Sequence, residues 1–472
     1  MTRAAGRRLR ALFLACLMLL AFPCPAFANF GEFTIRDELE LARKFDLVIE
    51  TRFPVVHDTR ITGYVQSLVD RLVAAMPPQP FPIKTTVVRN GALNAFASAA
   101  GHITIFTGLI ANFDTEDELA SVIAHELAHV SERHIAKSIE KGKLVGVGSL
   151  LGILAGVLVG SQGGGDAASG LVLGSVAGAK AMQLKYTRDN EKDADQYGLN
   201  YLVDAGFSPA GMTSAFDKIR RMQWLGGGGN VPSYLSTHPG MDERLIYMQE
   251  RIARQPEEVR KRSSDNASFE RVKLLVQAWY TDPNTARAVF QSSTSTSCAL
   301  VLGEAIALSR LSQIEAAGKR FEDALACNPD DILWKREYGR FAFEYGDLRT
   351  AVKYLQEVVL REPEDLFALF FYARAVAEQG NHAASIPAME RVLKAVPRDA
   401  EVLEHLARYQ AVVGRAFEAH LNYAKSFAYK RQFGKYDFHM QKSETLARSA
   451  SEQDQLRKAR EEISEFREIL GI

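Results

Sequence analysis

The sequence predicts a mostly α protein: an α+β domain, helical with a small sheet, followed by an all-α tetratricopeptide solenoid. Three observations lead there. The 472 residues exceed what one hydrophobic core usually holds. In the first half, two short β-branched runs lie among helical text. In the second half, prolines and glycines recur at a fixed interval. Basic and acidic residues balance at 57 each, and no polybasic block is present, which argues against a nucleic-acid partner.

The first segment, residues 1–28, reads as a signal peptide. Arg3, Arg7, Arg8 and Arg10 precede an apolar run from Ala11 to Phe22, and "AFA" then favours cleavage after Ala28. A retained membrane anchor is the alternative, but the run is short for a span and Pro23 and Pro25 break it. Cys16 and Cys24 lack a convincing lipoprotein context.

Residues 29–260 form the predicted α+β domain. "IKTTVVRN" and "HITIFTG" read as strands, the second as an edge that could line a cleft. The text from Asp114 to Lys143 reads as one helix, with Leu119, Val122, Ile123, Leu127 and Val130 at helical spacing. Thr115 and Glu118 form a capping box at its start. The Gly- and Ala-rich stretch 144–182 reads as a buried helical hairpin packed through small residues, with a hairpin dipping into a membrane surface as the alternative.

A polar stretch, "QPEEVRKRSSDNAS", opens a linker and leading helix over 261–297. Beyond it Pro329, Pro363 and Pro397 stand 34 residues apart, as do Gly346, Gly380 and Gly414. Ala317 and Ala351 fall in register with them, as do Phe321, Leu355, Met389 and Tyr423. That period predicts four tetratricopeptide repeats over 298–433, closed by capping helices over 434–472. In this register Cys298 begins the first helix of a hairpin and Cys327 ends the second. The two therefore face each other at its open end, and a disulfide is predicted, with two buried thiols as the alternative.

The chemistry concentrates in "AHELAHVSERHI". His125 and His129, four apart on a helix, project from one face and can grip one metal ion. Glu126 sits one step round, placed to reach a water on that ion. His134 is rotated by roughly 140° from His129 on a continuous helix, so it reads as structural or as a partner to a ligand. In "TRDNEKDADQYGLNYL", Glu191 and Asp195 share one helix face. Glu191 reads as the third ligand, and Asp195 as the acceptor that orients a ligating imidazole.

"HELAH", "EKDAD" and "STHPGMDERL", with "NAFASAAGHITIFTGLI" before them, resemble the gluzincin metallopeptidase family that includes the CAAX prenyl protease, HtpX and the mitochondrial protease Oma. The resemblance implies one Zn2+ held by His125, His129 and Glu191, with Glu126 as general base and Asp195 behind the ligands. It also implies that His238, in "THP", can approach the metal and hold the enzyme latent, and that Arg244 stabilises the oxyanion.

With the signal and the repeats, the chain resembles the periplasmic members that promote outer-membrane β-barrel assembly. The partners this implies are unfolded or misassembled β-barrel proteins, the outer-membrane assembly machinery through the repeats, and a peripheral membrane contact. Two other readings stand beside it: a repeat scaffold with a structural or latent zinc, and a membrane-embedded prenyl-type protease.

Overall fold

A computed structural model describes residues 33–140, 186–225, 233–292 and 297–470. The predicted signal peptide and the predicted hairpin over 144–182 lie outside the described residues. Among the described residues, no helix is long and apolar enough to cross a membrane.

The first half packs helices on a small sheet. α1 (Ile35–Arg52) and α2 (Thr59–Val73) precede three strands, β1 (Lys84–Val88), β2 (Ala95–Ala97) and β3 (His102–Phe106). α2 has a clear apolar face, burying Ile61, Val65, Leu68, Val69 and Leu72. The strand order is β1-β3-β2, with β1 parallel to β3 and β2 antiparallel to it. "HITIFTG" is therefore the central strand and not an edge. All five residues of β3 are buried, which suits a strand covered by neighbours on both sides, and β1 and β2 take the edges.

α3 (Thr107–Asn112) leads into α4 (Glu116–Ser131). Thr115 caps α4 by accepting from the Glu118 amide at 3.3 Å. Only half of the expected capping box forms, because the Glu118 carboxylate reaches the Asp114 amide instead, at 2.7 Å. The helix predicted to continue beyond 131 also breaks. Arg133 adopts a left-handed φ of 50°, and α5 (His134–Glu140) starts afresh. The Arg133 guanidinium is anchored to Glu38 of α1 and to the Phe33 carbonyl, contacts that a straight helix would not direct there. α6 (Arg188–Asp204), α7 (Ala210–Leu225), α8 (Ser233–Thr237) and α9 (Met241–Ala253) complete this half.

The polar stretch at 255–268 holds a short helix, α10 (Glu257–Arg260), and is tied down by hydrogen bonds from Ser264 to Asp117 and from the Glu116 amide to Asn266. α11 (Ala267–Tyr280) and α12 (Pro283–Ser292) follow. One apolar core runs through from Val56 and Leu119 to Phe269, Leu302 and Leu333.

Four helical hairpins then stack: α13 (Cys298–Arg310) with α14 (Ile314–Cys327), α15 (Ile332–Glu344) with α16 (Leu348–Arg361), α17 (Leu366–Glu378) with α18 (His382–Ala395), and α19 (Ala400–Val412) with α20 (Ala416–Tyr429). Gly346, Gly380 and Gly414 turn three of them with φ between 84 and 92°, a conformation costly to other residues; in the first hairpin Ser312 takes φ 58° without glycine. Ala317, Ala351, Phe321, Leu355 and Met389 are all buried between helices. Cys298 and Cys327 are joined as a disulfide, Cα to Cα 5.7 Å.

α21 (Phe433–Leu446) and α22 (Ala450–Leu470) end the stack. α22 buries Leu456, Ile463 and Phe466 in a cluster that includes Leu47 of α1, so the last helix closes back on the first. A second tie between the halves is polar. Arg336, fully buried on α15, bonds both oxygens of Asp58, the residue that caps α2, at 2.8 and 2.7 Å. Glu337 and Asp365 complete its surroundings, and Arg60 bonds Asp365 at 3.1 Å.

Candidate metal centre

α4 and α6 build the site, and they can do so because they pack unusually close. A Cβ on Gly198 would stand 3.0 Å from the Ala124 carbonyl and 3.1 Å from the His125 Cα. A larger residue there would have to push the two backbones apart, and their close approach brings Glu191 and Asp195 of α6 opposite the histidines of α4.

His125, His129, Glu191 and His238 each turn a ligating atom to a common point, all within 4.8 Å of one another and all buried. His125 Nε2 lies 3.1 Å from His129 Nε2, and the Glu191 carboxylate stands 3.6 and 3.5 Å from those two nitrogens. His238 Nδ1 joins at 3.0 Å from Glu191 and 3.4 Å from His125 Nε2.

The ring nitrogens of His125 and His129 that point away are occupied. His125 Nδ1 is 3.0 Å from Asp195, and His129 Nδ1 is 2.8 Å from His134 Nδ1. Imidazoles held from behind, with their free nitrogens converging on a carboxylate out of water, are the donor arrangement of a metal site. Two buried nitrogens 3.1 Å apart need a cation between them or a proton on one. The residues present fit a metal ion.

The electrostatics separate the four groups. Burial works against charge on His125, but hydrogen bonds to Asp195 and Glu191 carry its pKa up to about 9. Burial and the neighbouring His125 hold His129 well below the usual histidine range, so it stays neutral and can offer a lone pair. Glu191 resists its burial because His238 and Arg244 face it, and it remains ionised well below the usual carboxylate range. Glu126 shifts the other way, raised mainly by burial.

Glu126 lies beside this cluster and is not one of its four members. Its Oε2 accepts the Ala97 amide of β2 at 3.0 Å, and its Oε1 lies 3.5 Å from His238 Nε2. Asp195 accepts from Arg244 at 2.8 and 2.7 Å and from the Tyr247 hydroxyl. Arg244, expected to stabilise the oxyanion, directs its guanidinium to Asp195 and Glu191.

The sequence reading missed three tyrosines: Tyr186, stacked on His129 at 3.7 Å, Tyr234, stacked on His238 at 4.2 Å, and Tyr247. Only Tyr234 carried a usable signal, its spacing of four residues before His238. His134 reaches His129 because the turn at Arg133 swings it back.

Residues 59–252 match the model of peptidase family M48. The putative beta-barrel assembly-enhancing protease of Vibrio cholerae is 32% identical over 226 residues, 47% of this chain and 46% of that one. The beta-barrel assembly-enhancing protease of Yersinia pestis is 28% identical over 284 residues, 59% of this chain and 57% of that one. The chain spans about half the length of the curated relatives it matches. Among solved structures, a tetratricopeptide repeat protein from Parabacteroides merdae is 12% identical, covering 52% of this chain and 99% of that one, at a TM-score of 0.28.

Proposed function

We propose that the chain is a zinc-dependent endopeptidase of the periplasm with a chaperone-like role, promoting assembly of outer-membrane β-barrel proteins and degrading misassembled ones. The observation that carries the enzymatic part is the separation of roles at the site. His125, His129 and Glu191 converge as ligands, while Glu126, from the same helical turn, stands beside them with one carboxylate oxygen anchored on Ala97.

When bound, zinc supplies a Lewis acid for the scissile carbonyl and makes a water acidic enough to ionise near neutral pH. Glu126 Oε1 is the proton acceptor and later returns the proton to the leaving amine, a role that its burial-raised basicity suits. Asp195 fixes the tautomer of His125 so that Nε2 faces the cluster. Arg244 neutralises Asp195 and Glu191 and keeps both carboxylates in place. Because β2 is an edge strand and Ala97 already points its amide at Glu126, an extended polypeptide laid along β2 would run past the base. That favours unfolded segments. His238 serves as a latch, its two nitrogens turned to the ligand cluster and to Glu126.

The partners proposed are unfolded or misassembled barrel proteins and their assembly machinery, a proposal supported by the names of the relatives and by the repeat hairpins. The deciding experiment replaces Glu126 by glutamine. The variant should retain one zinc per chain and lose cleavage; cleavage at the wild-type rate would refute the peptidase reading.

A scaffold role is favoured by one feature. A groove of about 770 Å³, lined by Phe343, Phe367, Phe370 and Phe371 of the repeats together with Val55 and His57, lies towards the β1 side of the sheet, away from β2. Full restoration of barrel assembly by Glu126→Gln in cells lacking the protein would make holding, not cutting, the main activity.

A further inference from the structure

His238 is held by two tyrosines of different standing. Tyr234 belongs to the same turn, stacking on the imidazole at 4.2 Å and 22°. The His238 amide and the Thr237 hydroxyl both donate to the Tyr234 carbonyl, at 2.8 and 3.0 Å. These contacts are internal to α8 and its end, so they would travel with the turn if it moved.

Tyr186 comes from another part of the chain. Its ring, buried to 7% exposure, stacks on the ligand candidate His129 at 3.7 Å and 20° and packs on His238 at 5.2 Å and 34°. Its amide donates to the Thr237 carbonyl at 3.2 Å, one residue before His238. One residue therefore grips both α4, which carries two of the fixed ligands, and the segment that brings in the third imidazole.

We propose, resting on the reading of His238 as a latch, that Tyr186 is the positioning residue that keeps His238 in the metal cluster. Removing its ring frees the His238 imidazole, while His129, which loses the same ring, stays positioned by α4 and by His134. The backbone bond to Thr237 survives side-chain substitution, so the ring's share of the hold is what a variant removes. A ring contact of this kind, tilted by 34° against His238, is worth about two- to tenfold in an equilibrium constant.

The test uses the full chain loaded with zinc for cleavage of an unfolded protein substrate, and with cobalt(II) for its visible spectrum, which reports the ligands directly. Tyr186→Ala should raise kcat about two- to tenfold with little change in KM. It should also shift the cobalt spectrum towards that of His238→Ala. Tyr186→Phe, which keeps the ring, should return both readouts to the wild type. In a His238→Ala background, Tyr186→Ala should add nothing.

An unchanged spectrum in Tyr186→Ala, or an increase in kcat that persists without His238, overturns the proposal. If the alanine variant fails to fold, Tyr186→Leu fills the space without a stacking face, and a wild-type spectrum there overturns it equally. If His238→Ala alone neither speeds cleavage nor shifts the spectrum, the latch reading itself has failed, which is a different result.

Discussion

His238 sets its Nε2 3.5 Å from Oε1 of Glu126, while its Nδ1 lies 3.0 Å from Glu191. A single ring thus occupies two places that hydrolysis needs, a position on the ligand cluster and the approach to the base. Replacing it with alanine vacates both. His238→Ala should cleave unfolded substrate and its own chain faster, by about tenfold if the latched form dominates by that ratio. Equal or slower cleavage, at unchanged zinc content, would mean that His238 assists the reaction instead of restraining it.

Asp195 offers a cleaner separation of binding from chemistry. It touches His125 Nδ1 and the Arg244 guanidinium and is not one of the four converging ligands. Asp195→Asn keeps the shape but weakens the acceptor that orients the imidazole. Zinc affinity should fall by about 10- to 100-fold, and much of the activity should return when zinc is added in excess. Affinity measured by competition with a chelator decides this. An unaltered dissociation constant would place Asp195 outside the metal's support.

The pairs on single helices were legible in the sequence because helical spacing fixes which residues share a face. His125 with His129, and Glu191 with Asp195, needed nothing more. Strand order was not legible. The alternation in "HITIFTG" indicates a strand, but whether it sits at the centre or the edge depends on what pairs with it. The break at Arg133 was hidden because Ser131, Glu132 and Arg133 read as ordinary helix surface; the turn is held from outside, by Glu38 of α1. Tyr186 was invisible for a similar reason, since its partners lie far away along the chain. Arg336 is the extreme instance. It looks like a surface residue of a repeat helix, yet its main partner Asp58 is 278 positions away.

That arginine gives the sharpest stability prediction. Arg336 is fully buried, and removing it leaves Asp58, Glu337 and Asp365 facing one another out of water. Arg336→Ala should cost about 3–5 kcal/mol, measured by denaturant unfolding. Loss of less than about 1 kcal/mol would show that water or rearrangement compensates.

The same cluster should respond to acid. Burial alone would raise the Asp365 carboxyl, but Arg336 facing it, with the Ala368 amide and Arg60, holds its pKa below the ordinary value of 3.8. A folded-state pKa depressed in this way contributes stability that is fully present above the unfolded value. That stability is lost as pH falls from about 4 through the folded value. Asp365→Asn should therefore be less stable at neutral pH and should lose less on acidification below about pH 4. Parallel stability curves for the variant and the wild type would exclude a contribution from this carboxyl.

The disulfide makes a prediction about the repeats in particular. Cys298 and Cys327 close the open end of the first hairpin, and 29 residues separate them in sequence. On chain-entropy grounds a loop of that length is worth about 3–4 kcal/mol. Reduction frees the start of α13, whose first turn packs only partly buried residues, Cys298 to Val301, against the core. The reduced protein, or the Cys298→Ala/Cys327→Ala double variant, should lose hydrogen-exchange protection first in α13 and α14. Its zinc affinity should stay unchanged, because none of the four clustered ligands lies in that hairpin. Loss of zinc on reduction, at a temperature where the fold persists, would instead show that the repeats and the metal centre are mechanically coupled.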